Sequence, residues 1–487
     1  MIHQSKELFA RLKRSVAPAL RVAGGWRSRP AAGVRPQVDR GVGSELVTLA
    51  WPIAVAMLGD TAMGLVDTKL VAGLGAAQLG GVGIATTVMW LCYSCVFGLM
   101  RGVKVRTAHA VGQDRAEQSI AYAKAGLVLG LFLGVGILVA ARDASGIFLK
   151  LGVDPATVPY ARDFLAARTL GAPAICMVSA LVQYRQGRGD TRTPMMAGLF
   201  ANVINAVLAW ALIHGHFGLP RLGVAGAGYG TAIAETCEVA FLLAVVLREK
   251  NESTLSLRGA MREVAQLGVP TGAQFGCELL AFTAFTAVLG GISAHEIAAH
   301  QIAMSIIRTS FLPGVAVAEA GSVLVGRALG ARKLDEADAV TRHAVVLAMG
   351  FMTLCGVGFA LFGKNLARAF ADDVLVVRIT ARLLLVAAVF QTLDAVAIVL
   401  RGALRGAKDV RWVAAIGITV AWTCIPTAAW LFGKRLGLGA FGGWLGFVAE
   451  TTIASALFAW RWKKGSWRQG YEQPSRASAP ELMPASA

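Results

Sequence analysis

Eight carboxylates lie where carboxylates are costly. Asp60, Asp67, Glu235, Glu238, Glu278, Glu319, Asp394 and Glu450 all fall in otherwise apolar stretches of this 487-residue chain. A charge at the centre of a bilayer costs roughly 2.5–3.5 kcal/mol on insertion scales, so an acid kept there points to function. A desolvated carboxylate favours its neutral form, so it can hold a proton near neutral pH and release it when water or a cation arrives. The same oxygens can ligate sodium. Asp60 and Asp67 are two helical turns apart and share a face. Lys69 lies two residues beyond Asp67 and points elsewhere, which excludes a local salt bridge. Asn205, Gln274 and Gln391 join Asp60 as candidates to line a substrate cavity, and Arg308, Arg378 and Arg382 are either counter-charges or residues that snorkel to the interface. Glu235 and Glu450 follow glycine-rich starts of equivalent helices (GAGYGTAIAE and GGWLGFVAE) and read as shared scaffold.

The elements that must position these acids are membrane spans. The chain is 56% hydrophobic and 16% charged, with 56 glycines and a mean hydropathy of +0.60, outside the range of soluble domains. Apolar stretches long enough for a helix to cross hydrocarbon recur from Glu45 to Trp462. They predict an all-α integral membrane protein of twelve spans, at 45–71, 79–101, 119–141, 157–184, 194–216, 224–247, 261–290, 296–326, 337–362, 374–401, 410–432 and 440–462. The alternation of polarity that a β-barrel needs is not visible. The net charge of +18 follows topology. Basic residues fill the N-terminal tail and the connections after even-numbered spans, among them Lys104, Arg106, Arg188, Arg327, Lys408 and Arg411. The positive-inside rule then places those connections and both termini in the cytoplasm, with the chain in the inner (plasma) membrane. Nucleic-acid binding is excluded, because its basic residues would cluster on one domain. Residues 1–44 lack an apolar core of signal-peptide length and read as an uncleaved basic tail. Residues 463–487 read as a disordered tail rich in Pro, Ser and Ala. All seven cysteines fall within predicted spans, and Cys92 and Cys95 read as packing residues because no second ligand pair is in reach.

The spans form two halves of one plan. Leu49, Pro52, Gly73, Ala76 and Gly112 match Leu267, Pro270, Gly291, Ala294 and Gly330 at an offset of 218 residues. At 219, GRGDTR (187–192) lies over GAKDVR (406–411). The reading is two six-helix bundles, 45–247 and 261–462, joined by a cytoplasmic linker at 248–260. An even number of spans gives both the same orientation, so they are parallel repeats around a central cleft. Pro52 and Pro270 mark either a helix start or a bend. Asp60 pairs with Glu278 under the repeat, whereas Asp67 falls on Phe285 and has no acidic twin.

Six segments carry a resemblance: LAWPIAVAMLGDTAMGLVDTKLVAGLGA (49–76), AVGQDRAEQ (110–118), GRGDTRTPM (187–195), AAHQIA (298–303), LVGRALGARKLDEA (324–337) and LRGALRGAKDVRW (400–412). In this order, on a six-plus-six repeat, they resemble the multidrug and toxic compound extrusion (MATE) transporters. The resemblance implies two lobes that rock between outward-facing and inward-facing states, expelling cationic or amphipathic compounds in exchange for sodium or protons. It implies that Asp67, in VDT, acts in cation coupling in the first lobe with Asn205, and that Glu278 and Asp394 form the second lobe's cation site. Two positions depart from the family pattern. Ala209 stands where many members carry Asp or Asn, and Phe390 where sodium-coupled members carry Tyr.

The function expected is a secondary multidrug efflux antiporter, monomeric, with no cofactor beyond H+ or Na+ as coupling ion and small organic cations as cargo. The competing reading within the superfamily is a lipid-linked oligosaccharide flippase, which the excess of acids disfavours. HExxH, GxSxG and GxxxxGK[ST] are all missing, so a metalloprotease, a serine hydrolase or an ATP-driven pump is not supported.

Overall fold

The computed structural model describes residues 41–141, 148, 154–249, 253 and 255–471. The tail before Gly41 and the chain beyond Tyr471 lie outside the described residues. Among the described residues thirteen α-helices follow one another: α1 Val42–Ala72, α2 Ala76–Gly112, α3 Ser119–Ala141, α4 Val158–Thr169, α5 Ala172–Gly187, α6 Arg192–His214, α7 Val224–Leu247, α8 Leu257–Gly290, α9 Ala294–Gly330, α10 Leu334–Arg368, α11 Val374–Gly406, α12 Val410–Ala428 and α13 Gly439–Lys464. Among the described residues eleven spans are long and apolar enough to cross a membrane, and α4 with α5, bent by 50°, makes a twelfth. The bend sits at Leu170–Gly171, where Pro173 at the start of α5 cannot donate to the preceding turn. Such a set of spans satisfies its backbone internally, as hydrocarbon requires.

Several helices outrun the predicted spans. α2 continues from 101 to Gly112, which places Lys104 and Arg106 inside a helix and not in a connection. Hydropathy ends a span at its first charges, whereas backbone hydrogen bonding does not. For the same reason α8 begins at Leu257, within the expected linker, with the Ser256 side chain accepting from Gly259 N. The first residues of the expected disordered tail are instead ordered. After Lys464 a short turn (Ser466–Gly470) buries Trp467 against Trp462, and the Tyr471 hydroxyl lies 2.9 Å from His109 Nε2. Pro52 and Pro270 both lie well inside their helices and do not start them.

The repeat is visible in the packing. α1 packs on α9 and α2 on α8, a pair of contacts that the repeat exchanges, while α2 and α9 touch each other. The closure is concentrated at the end of the bundle that carries the basic connections, called here the basic end. Between Gly98 and Ala110 of α2, and between Gly314 and Gly330 of α9, nearly every residue is buried, whereas Ala76–Val88 of α2 is mostly accessible. Glycine makes this approach possible. A Cβ on Gly98 would lie 2.6 Å from Gly272 Cα, and one on Gly272 would meet Cys95 O at 2.5 Å. Small residues at such crossings let helix backbones approach in a solvent that gives no hydrophobic drive for association. Replacing Gly272 by Val should therefore cost about 1–3 kcal/mol or more by overpacking against a backbone that cannot yield. Gly64→Ala, where a Cβ meets nothing within 4 Å, should be neutral. Melting temperatures of the two variants in detergent check this.

Candidate functional site

α1 and α6 lie side by side, and two asparagines three residues apart on α6 face the two aspartates of α1. Asn202 Nδ2 donates to Asp60 Oδ1 at 3.2 Å. Asn205 Nδ2 donates to both oxygens of Asp67, at 3.2 and 3.1 Å, and Asn205 Oδ1 is buried with no partner among the described residues. Lys69 is exposed and takes no part. Next to this pair Arg168 of α4 grips Glu235 of α7 with two parallel bonds of 2.7 and 2.5 Å, and its charge also acts on Asp67. A planar guanidinium suits such two-point recognition of a carboxylate. Glu238, one turn on, makes no hydrogen bond among the described residues and lies in the field of Asp60 and Glu235. The first half thus sets one guanidinium against four carboxylates.

The second half repeats the arrangement with other residues. Arg401 of α11 donates to Glu278 Oε2 at 3.2 Å and ion-pairs with Glu450 of α13 at 3.8 Å. Asp394, two helical turns before Arg401, makes no hydrogen bond among the described residues but interacts electrostatically with Arg401, Glu278 and Glu450. Gln274 Nε2 donates to Glu278 Oε1 at 2.8 Å, and Gln274 Oε1 accepts from Arg405 at 2.9 Å. Here Arg401 contacts two of the three carboxylates, and the guanidinium of Arg405, held by Gln274, also acts on Glu278. Around them Phe285, Phe390, Trp444 and Phe447 form an aromatic wall.

The candidates named from sequence therefore separate into two groups. Asp60, Asp67 and Asn205 gather in the first half, and Glu278, Asp394 and Gln274 in the second. Gln391 stands apart, donating to Ser310 Oγ at 2.6 Å. Gln274 and Gln391 are fully enclosed, and Asn205 nearly so, and none lines open space in this conformation. Arg308, Arg378 and Arg382, suspected as counter-charges, are exposed and form no ion pair among the described residues. Their place is taken by cations not expected from sequence to be counter-charges: Arg168 on Glu235, Arg401 on Glu278, and Arg101 with Lys104 on Glu319. Arg401 and Arg101 stood at the last residue of predicted spans and Lys104 just past one, where they read as interfacial. Arg168 stood within a span as the one base of a run, FLAARTLG, and that was its available signal. Ala209 is fully buried against Gly230, which leaves no room for a larger polar residue. Among the described residues no group of three His, Cys, Asp or Glu can hold a metal ion, and Cys92 and Cys95 are free thiols.

A duplicated twelve-span helical bundle with buried acids in each half is the architecture of a polytopic membrane carrier. The family model described as MatE matches the chain twice, over residues 52–211 and 270–430, and the chain belongs to that family. It is 29% identical to the "Probable multidrug resistance protein NorM" of Pseudomonas putida over 454 residues, covering 89% of this chain and 98% of the relative. The protein so named in Burkholderia mallei is also 29% identical, over 93% of this chain and 99% of its own. A solved structure described as the outward-facing conformation of a multidrug resistance MATE family transporter superposes with a TM-score of 0.80 at 21% identity, covering 89% of this chain and 97% of that one. A superfamily transporter from Pyrococcus furiosus gives 0.80 at 21%, over 88% and 97%.

The two kinds of acid should respond differently to neutralisation. Glu235→Gln strands a buried guanidinium and should cost roughly 3–5 kcal/mol. Asp67→Asn keeps an amide partner and should leave the unfolding midpoint within about 1 kcal/mol of wild type. Denaturant unfolding in mixed micelles measures both.

Proposed function

We propose that the protein is a secondary active multidrug efflux antiporter of the inner (plasma) membrane, expelling cationic or amphipathic organic compounds in exchange for an inward H+ or Na+. The relatives named for multidrug resistance support a multidrug cargo, and the excess of carboxylates over guanidinium in the first half supports its being cationic. The observation that carries the coupling is the Asp67–Asn205 pair. An ionised Asp67 accepts from the amide nitrogen, as seen. A protonated Asp67 can instead donate to the amide oxygen that now has no partner. One neighbour thus serves both states, and a charge that differs between states can bias a conformational equilibrium. At Glu278 and Asp394 a fixed cation, Arg401, already sits among the acids, which weighs against a second cation there and favours protons as the coupling ion.

Residues 45–247 and 261–462 serve as the two lobes. The basic end faces the cytoplasm by the positive-inside rule, so both termini are cytoplasmic and the closure described above is the outward-facing arrangement. The protein acts as a monomer, because each chain already contains both lobes. In reconstituted vesicles an imposed pH gradient should drive efflux of a fluorescent organic cation. Asp67→Asn and Glu278→Gln should each slow it at least about tenfold, the effect of removing roughly 1.4 kcal/mol of state bias. Undiminished efflux in both variants refutes the assignment, and efflux driven only by a sodium gradient refutes the choice of proton.

A further inference from the structure

Arg101 on α2 and Glu319 on α9 are 218 residues apart, the offset that relates the two halves. Residues equivalent under a twofold repeat can touch only astride its axis. Arg101 donates to Glu319 Oε1 from Nε at 3.0 Å and from Nη2 at 2.6 Å, and Lys104 Nζ pairs with the other oxygen. Gly112 and Gly330, also 218 apart, nearly touch further along the same axis, so α2 and α9 meet from Arg101 to the basic end. Both cations belong to one helix and the single carboxylate to the other, so every contact in the cluster joins the two halves.

We infer that Arg101, Lys104 and Glu319 form the cytoplasmic gate of the transport cycle, an inference that rests on the alternating-access reading above. An inward-facing state must part α2 from α9 at the basic end, and this cluster is the polar contact between those two helices that would then break, alongside Arg106–Glu263 from α2 to α8 and Arg327–Glu45 from α9 to α1. Charges suit that task better than an apolar seal. They are paired and dry when the gate is shut, and hydrated when it is open, so water offsets the loss of each bond and the two states stay close in free energy. The gate also touches the acids of the second half. Arg101 and Arg405 lie 4.3 and 5.0 Å from the centre of the same Phe275 ring, and Arg405 is held by Gln274, whose other end binds Glu278. A change at Glu278 can therefore reach the gate through three successive side chains, Gln274, Arg405 and Phe275.

Hydrogen exchange of the reconstituted full chain tests the gate, read in segments 102–112 and 322–332 at the basic end and 76–88 and 294–305 at the other. Glu319→Gln should raise exchange about tenfold at the basic end only, the shift expected when a closed state loses a tenfold population advantage. Arg101→Glu alone should do the same, and Arg101→Glu with Glu319→Arg should restore protection, because exchanging charges across the axis rebuilds the pair. Unchanged exchange in Glu319→Gln, a rise at both ends, or no recovery in the double variant overturns the gate. Efflux by the wild type in the same vesicles separates the two readings. Wild type that exports nothing under any gradient defeats the antiporter, whereas active wild type with unaltered Glu319→Gln exchange defeats the gate alone.

Discussion

A carboxylate in hydrocarbon must be answered from within the bundle, and that requirement organises this protein. Hydrocarbon cannot solvate Glu235 or Glu278, so a guanidinium on a neighbouring helix does it, Arg168 in one half and Arg401 in the other. Each pair ties helices that are distant in sequence and fixes their rotation. The acids left over, Asp60, Asp67, Glu238 and Asp394, have amide partners or no hydrogen-bonding partner among the described residues. They are the groups with capacity to take a proton or a cationic guest. Residues of the same chemical type are thus set apart by the partner each is given.

The two halves solve the problem at different positions. Asp60 and Glu278 are equivalent under the repeat, yet one meets an asparagine and the other a glutamine and an arginine. Phe285, the counterpart of Asp67, is fully buried in the aromatic wall of the second half. Symmetry of backbone has been kept while the polar groups have diverged.

Much of this was legible in the sequence. Hydropathy gave the spans, the repeat gave the two bundles, and the heptad spacing of Asp60 and Asp67 placed both on the face that meets α6. What stayed hidden were the counter-charges. A basic residue near the end of an apolar run is compatible with snorkelling to the interface, and composition cannot distinguish that from a side chain turned inward. Arg401 and Lys104 turn inward because an acid on another helix awaits them, and that pairing is long-range information. The helix ends were misplaced for a related reason, since α2 carries its charges inside the protein and remains helical past them. The break between α4 and α5 was marked by Gly171 and Pro173, a signal that an unbroken hydropathy window averages away.

The contact between Arg101 and Glu319 also bears on how such a chain can be assembled. In a dimer of identical six-helix subunits, a residue astride the twofold axis faces its own copy, so an arginine there would meet an arginine and a glutamate a glutamate. Neither arrangement can pair. An attractive bond on the axis is open only to a single chain whose halves are free to differ, and it gives this fused protein an interaction that no homodimer of its halves could possess.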